Sequence, residues 1–176
     1  MTYRVIKTDA NGANTYEDLP SSAFVPISRL YCGYSDNTSE TTAAVGVWER
    51  FPYSATGIQS YRSIDFTVDP TMTRFIYTGL LTKWFKINAT CNILKGTGES
   101  SSRDLEVSWR KNGVQAGPAR RTHLIDANVI SGEGQLPLST GDYIEPFIRN
   151  IQNDDKVVMY NCSFDIRDDP DKYWSS

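Results

Sequence analysis

The sequence has a single histidine, His123, and three cysteines, Cys32, Cys91 and Cys162, without metal-ligand spacing. That leaves little from which to build a metal centre or a histidine-assisted nucleophile, and no cofactor is expected. No stretch approaches the roughly 20 apolar residues that cross a bilayer, so membrane insertion is not expected. Residues Met1 to Lys7 lack the apolar block of a signal peptide, and export by the usual route is not expected either. Basic clusters are equally scarce: Arg110-Lys111 and Arg120-Arg121 are short and separated by Gly and Pro, in a chain whose net charge is -3. Nucleic acid, which is held by clustered Lys and Arg, is therefore not an expected partner.

Amphipathic helical periodicity is also missing. Instead 12% of the residues are aromatic, a balance that suits pleated surfaces. In Phe85-Lys86-Ile87-Asn88-Ala89-Thr90-Cys91-Asn92-Ile93 the odd positions are apolar and the even ones polar, so one strand face meets a core and the other meets solvent or a polar neighbour. Leu105 to Arg110 alternates likewise and runs into Asn112-Gly113, the dipeptide of a tight hairpin turn. Before it, residues 95–102 read as a flexible connection. Near the end, Tyr143 to Ile151 and Val157 to Ile166 read as strands, with Val158, Tyr160, Cys162, Phe164 and Ile166 on one face. Pro146 cannot donate to a ladder, which predicts an edge strand or a bulge there. Runs at Ala43–Phe51, Ser63–Val68 and Arg74–Tyr77 raise the count to about eight strands. The expected fold is all-β, a two-sheet antiparallel jelly-roll sandwich.

At 176 residues the chain suits one core. Residues 1–42, rich in Asp, Asn, Gly, Pro and Ser, read as an irregular N-terminal arm with isolated anchors at Phe24, Val25, Ile27, Leu30 and Tyr31. Residues 43–168 form the jelly-roll domain and 169–176 a C-terminal tail. Cys91 and Cys162 sit among the apolar positions of alternating runs and are expected as packing thiols, with a disulfide as the alternative.

Few constellations suggest chemistry. His123 reads as a surface or strand histidine, because a triad also needs a nucleophile and an orienting carboxylate. Gly96-Thr97-Gly98 lacks the Gly-Lys-Ser/Thr ending of a phosphate cradle. Asp165, Asp168, Asp169 and Asp171 lack the spaced loop of a calcium site and read as solvated. The sequons at Asn37, Asn88 and Asn161 are attributed to chance. Tyr31, Tyr34, Tyr53 and Tyr61 would either stack on sugars or clamp the arm to the sandwich. No catalytic residue is assigned.

The order of Phe66-Thr67-Val68, Arg74 to Gly79, Phe85 to Ala89, Val107 to Gly113, Leu138-Ser139-Thr140-Gly141-Asp142-Tyr143-Ile144-Glu145 and a final apolar strand resembles the tumour-necrosis-factor and complement-globular-head type of jelly roll. It looks most like the versions carried by virion proteins and bacteriophage fibres. The resemblance covers about residues 43 to 168 and implies a homotrimer. Tyr143, Phe147 and Tyr160 are the candidate trimer-interface residues, the alternative being ordinary intrachain core. The expected role is that of a viral structural protein, a knob or a decoration, located in the virion. Other virion proteins would be met through the arm. The alternative is a carbohydrate-binding module that takes a host-surface glycan.

Overall fold

The computed structural model describes residues 3–8, 12, 14–19, 27–34, 39–41, 45–51, 59–69, 73–99, 102–125, 127–169 and 172. Two antiparallel sheets face each other across one core. The first has the order β12-β8-β14-β3-β5, from β3 (Arg29–Tyr34), β5 (Gln59–Ile64), β8 (Lys83–Lys95), β12 (Ala127–Leu138) and β14 (Val157–Asp168). The second has the path β10-β9-β13-β7-β6, from β6 (Phe66–Asp69), β7 (Arg74–Tyr77), β9 (Arg103–Lys111), β10 (Val114–Gln115) and β13 (Tyr143–Asn150). To it are added β11 (Arg120–Leu124) on β9 and β4 (Glu49–Arg50) on β13. Among the described residues there is no α-helix.

The alternation in β8 is realised as read. Phe85, Ile87, Ala89, Cys91 and Ile93 are buried while Lys86, Asn88, Thr90 and Asn92 are exposed. Leu105, Val107 and Trp109 of β9 close the core from the other sheet. Trp109 lies with Phe75 and Phe164, and its Nε1–H donates to the Gly132 carbonyl at 3.3 Å. Buried aromatic rings of this size each remove a large apolar area from water.

The tight turn after β9 is also as expected. Asn112 and Gly113 both have positive φ, 50° and 82°, and Lys111 pairs with Val114 across them. Gly113→Ala forces an L side chain into the left-handed region and is expected to cost about 1–2 kcal/mol. An unchanged urea midpoint would remove that argument.

Several expectations are corrected. Regular structure begins well before Ala43. Arg29–Tyr34 is an interior strand between β14 and β5, with Leu30 and Cys32 fully buried, while Ile27 is exposed. Upstream, β1 (Tyr3–Thr8) and β2 (Asn14–Leu19) pair as a hairpin, with Gly12 at φ 81°. Residues 40–41 also dock on β14, where Glu40 bridges Val158 and the Thr41 N–H donates to the Val157 carbonyl at 2.9 Å. Polar composition misled here, because strand pairing satisfies backbone groups whatever the side chains are. Phe24 and Val25 lie outside the described residues. Of the run at Ala43–Phe51, the described residues 45–51 hold only the two-residue β4, although Phe51 is buried in the core.

The connection from β8 to β9 crosses between the sheets and is pinned. The Thr97 N–H donates to Glu40 at 2.6 Å and the Gly96 N–H to the Lys156 carbonyl at 2.9 Å. β13 is an interior strand with no register shift at Pro146, against the edge or bulge expected there. Pro146 falls in the gap between β7, which pairs at Tyr143 and Ile144, and β4, which pairs at Phe147 and Ile148. Its carbonyl takes the Phe51 N–H at 3.1 Å on that side, so no ladder bond calls for its absent N–H.

The most consequential correction is in β14. Val157 and Met159 are buried, then the register shifts between Met159 and Asn161, after which Cys162, Phe164 and Ile166 are buried. One extra residue in the strand exchanges its two faces. Val158 and Tyr160 therefore do not share the face of Cys162.

The Asp carboxylates near the C-terminus are not solvated. Asp165 pairs with Arg29 and Arg167, Asp168 with Lys83, and buried Asp169 with Lys86. β14 continues to Asp168 and sets these groups beside cations of neighbouring strands. Asp171 lies outside the described residues.

Candidate functional site

Three regions concentrate the polar and aromatic side chains: the outer faces of the two sheets, and the turn that joins β12 to β13.

That turn is Leu138-Ser139-Thr140-Gly141-Asp142-Tyr143, the most specific piece of the family resemblance. Gly141 takes φ 88°, which favours glycine. Asp142 Oδ2 accepts the Ser139 N–H at 2.8 Å and lies 2.8 Å from Lys111 Nζ, while Oδ1 accepts from Asn112 Nδ2 at 2.7 Å. Asn112 in turn accepts the Tyr143 N–H at 2.9 Å. The motif thus locks the turn that crosses from one sheet to the other against the β9–β10 hairpin turn. Burial pushes the Asp142 carboxyl up, but Lys111, the Ser139 N–H and Asn112 outweigh it and hold it below the usual carboxylate range. A depressed folded value gives stability that is present above the unfolded value of about 3.9 and is lost as pH falls through the folded one. Asp142→Asn should therefore lose less of its thermal midpoint than the parent between about pH 5 and about pH 3. Parallel curves would sink the assignment.

On the outer face of the seven-stranded sheet, β13 presents Tyr143, Glu145, Phe147 and Arg149, opposite in strand direction to core-facing Ile144 and Ile148. Tyr143 and Phe147 do share a face, as read. Each carries an arginine from its own chain: the Arg74 guanidinium lies 4.0 Å from the Tyr143 ring centroid and that of Arg110 lies 4.0 Å from Phe147. Between them Glu145, buried, receives Arg74 Nε and Nη2 at 3.1 Å and sits 2.9 Å from Arg50 Nε. Arg149 closes the row, donating to Glu106 at 2.7 Å and stacking over Trp48 at 4.6 Å. At the sheet's margin, His123 is exposed, with Nδ1 2.6 Å from Asp104, which also pairs with Arg121. Arg121 and His123 hold the Asp104 carboxyl below the usual carboxylate range.

The outer face of the five-stranded sheet is built differently. Register places Glu133, Asn88, Asp165 and Tyr31 in one row, then Ser131, Thr90, Ser163 and Gly33, then Val129, Asn92 and Asn161, then Leu94 and Val158. The face runs from charged, through short uncharged polar, to apolar. Val129 is 55% exposed and Tyr31 40% exposed. A shallow groove of about 440 Å³ lies at the charged end, lined by Lys86, Asn88, Glu133, Gln135, Asp165 and Arg167. Tyr160 belongs to this sheet, so it is not gathered with Tyr143 and Phe147, which lie on the other. The sequons Asn88 and Asn161 fall in strands. The side chains of Tyr34 and Tyr61, together with Tyr53 and Asn37, lie outside the described residues.

Sequence reasoning passed over Thr90, Ser131, Asn161 and Ser163. A signal was present in Asn88, Thr90 and Asn92 of β8, three consecutive outward positions without a charge. Among the described residues no group of three or more His, Cys, Asp or Glu could hold a metal ion, and no helix is long and apolar enough to cross a membrane.

The sheet order is that of a two-sheet antiparallel jelly-roll sandwich. No protein-family model and no curated protein matches the chain. Among solved structures it is similar to murine APRIL, at 13% identity and TM-score 0.49 over 81% of this chain and 99% of that one. It is also similar to the globular domain of zebrafish complement 1qA protein, at 10% identity and TM-score 0.44 over 81% of this chain and 96% of that one. A third is the PRD1 vertex protein P5, at 11% identity and TM-score 0.47 over 80% of this chain and 96% of that one. These are likenesses of fold.

Proposed function

We propose that this chain is a virion structural protein that acts by assembly and surface binding, as a homotrimeric knob or decoration, with no catalytic step. The observation that carries the reading is the outer face of the five-stranded sheet. The centres of interfaces are depleted in charged side chains, a condition this part of the face meets, although serine, present here twice, is depleted there as well. Thr90, Asn92, Ser131, Asn161 and Ser163 make a flat, short-chained surface beside exposed Val129, which suits close packing of a second copy. The reading places the threefold contact here and not at Tyr143 and Phe147, whose rings already carry Arg74 and Arg110. Sedimentation of the purified chain at micromolar concentration should show one species of three times the chain mass. A monomer at that concentration would count decisively against assembly.

A second reading, carbohydrate binding at a host surface, is favoured by the groove at the charged end of this face. It offers amide and carboxylate groups of Asn88, Gln135, Glu133 and Asp165 next to the exposed Tyr31 ring. A glycan array blank at high protein concentration would remove it.

A further inference from the structure

Cys91 on β8 and Cys162 on β14 are direct register partners on adjacent antiparallel strands. Both point into the core, 1% and 4% exposed, and both are free thiols. Directly opposed residues of an antiparallel pair have Cα atoms about 4.5 or 5.5 Å apart. Both spacings fall inside the roughly 4.4–6.8 Å that a disulfide spans.

Cys32 is placed otherwise. On β3 it pairs with Phe164, while Cys162 pairs with Tyr34. That makes Cys32 a diagonal neighbour of Cys162, at about 7–8 Å between Cα atoms, too far to bridge without backbone movement. The three buried thiols thus comprise one matched pair and one bystander.

We propose that Cys91 and Cys162 are a bridging pair, which a small disulfide oxidant such as oxidised glutathione converts to a cross-strand disulfide within the core, leaving Cys32 a thiol. One cysteine thiolate attacks the glutathione disulfide and releases one glutathione thiolate. The second then attacks the mixed disulfide and releases the other. Two protein thiols lose two hydrogens and two electrons in total, and one glutathione disulfide becomes two glutathione thiols. Burial pushes the Cys91 thiol well above its usual range, and that of Cys32 up to about 12. Attack by thiolate is therefore suppressed while the sheets are closed, and the bridge forms as the chain folds or when the sheet opens. Once formed, it ties together the two strands that carry Thr90, Asn92, Asn161 and Ser163 on their other face, and it persists out of reach of reductants.

The test refolds the full chain from denaturant in a reduced/oxidised glutathione buffer, alkylates remaining thiols and maps the peptides. The expected product joins the Cys91 and Cys162 peptides, has Cys32 alkylated, and melts about 5–10 °C above the reduced protein. Cys32→Ala should show the same bridge and the same difference. Soluble refolded protein with all three cysteines alkylated, or with Cys32 in the bridge, would overturn the proposal. Either result leaves the assembly reading intact, because that is judged by sedimentation.

Discussion

Glu145→Ala is expected to lower the thermal midpoint by about 10 °C, the result of losing about 3 kcal/mol from a domain of this size. The carboxylate is 1% exposed and is the common partner of Arg50 and Arg74. Its β-ladder partner is Arg110, a third cation on the same face. Removing it leaves these guanidinium groups facing one another with no anion between them, and it unfastens β4 and β7 from β13. Arg50 and Arg74 retain part of their hydration, with side chains 35% and 22% exposed, so the loss falls at the lower end of the range for breaking a buried pair. Glu145→Gln keeps an acceptor and should lose about half as much. A midpoint for Glu145→Ala within about a degree of the parent would mean that solvent screens the cluster completely.

Thr90→Arg is expected to leave the folded monomer intact and abolish its assembly. Thr90 is exposed at the centre of the five-stranded face, between Ser131 and Ser163, so a monomer has room for the longer side chain. In the proposed trimer the same change brings three like charges into a flat contact. The cost there is about 3 kcal/mol or more per contact, at least a hundredfold in association. Sedimentation should show the trimer replaced by monomer while the far-ultraviolet spectrum is unchanged. The control is Phe147→Ala, which removes the ring beneath Arg110 and should lower the midpoint while leaving the sedimenting mass at three chains. If Phe147→Ala dissociates the assembly and Thr90→Arg does not, the threefold contact lies on the seven-stranded sheet.

Local patterns were legible wherever a strand was regular. The alternations in Phe85–Ile93 and Leu105–Arg110 marked two interior strands and their core faces, because a period of two survives any packing partner. Asn112-Gly113 marked its turn for a similar reason, since few residues tolerate two consecutive positive φ angles. The pattern failed where pairing was irregular. An alternating reading of Val157–Ile166 cannot locate the bulge at Met159/Asn161, and it therefore put Tyr160 on the wrong face. Pro146 was read as marking an edge strand or a bulge, yet the gap between β7 and β4 that accommodates it is made by chain far upstream. β3 was invisible for a different reason: Arg29–Tyr34 mixes charged, apolar and glycine residues, and only its neighbours β14 and β5 make it a strand. The proposed assembly face was hardest, since it takes residues from β8, β12 and β14, each of which alone looks like an ordinary solvated strand.

By itself the sequence determined the all-β class, two long core strands and the Asn-Gly turn, since each follows from residue type and spacing within a few positions. Tertiary structure alone decided the rest: that Glu145 gathers two arginines, that Asp142 locks a distant hairpin, that Cys91 meets Cys162, and that short polar residues of three strands form one flat face. These relations depend on strand order and register, which are settled by how two sheets close over a shared core and not by any local stretch of chain.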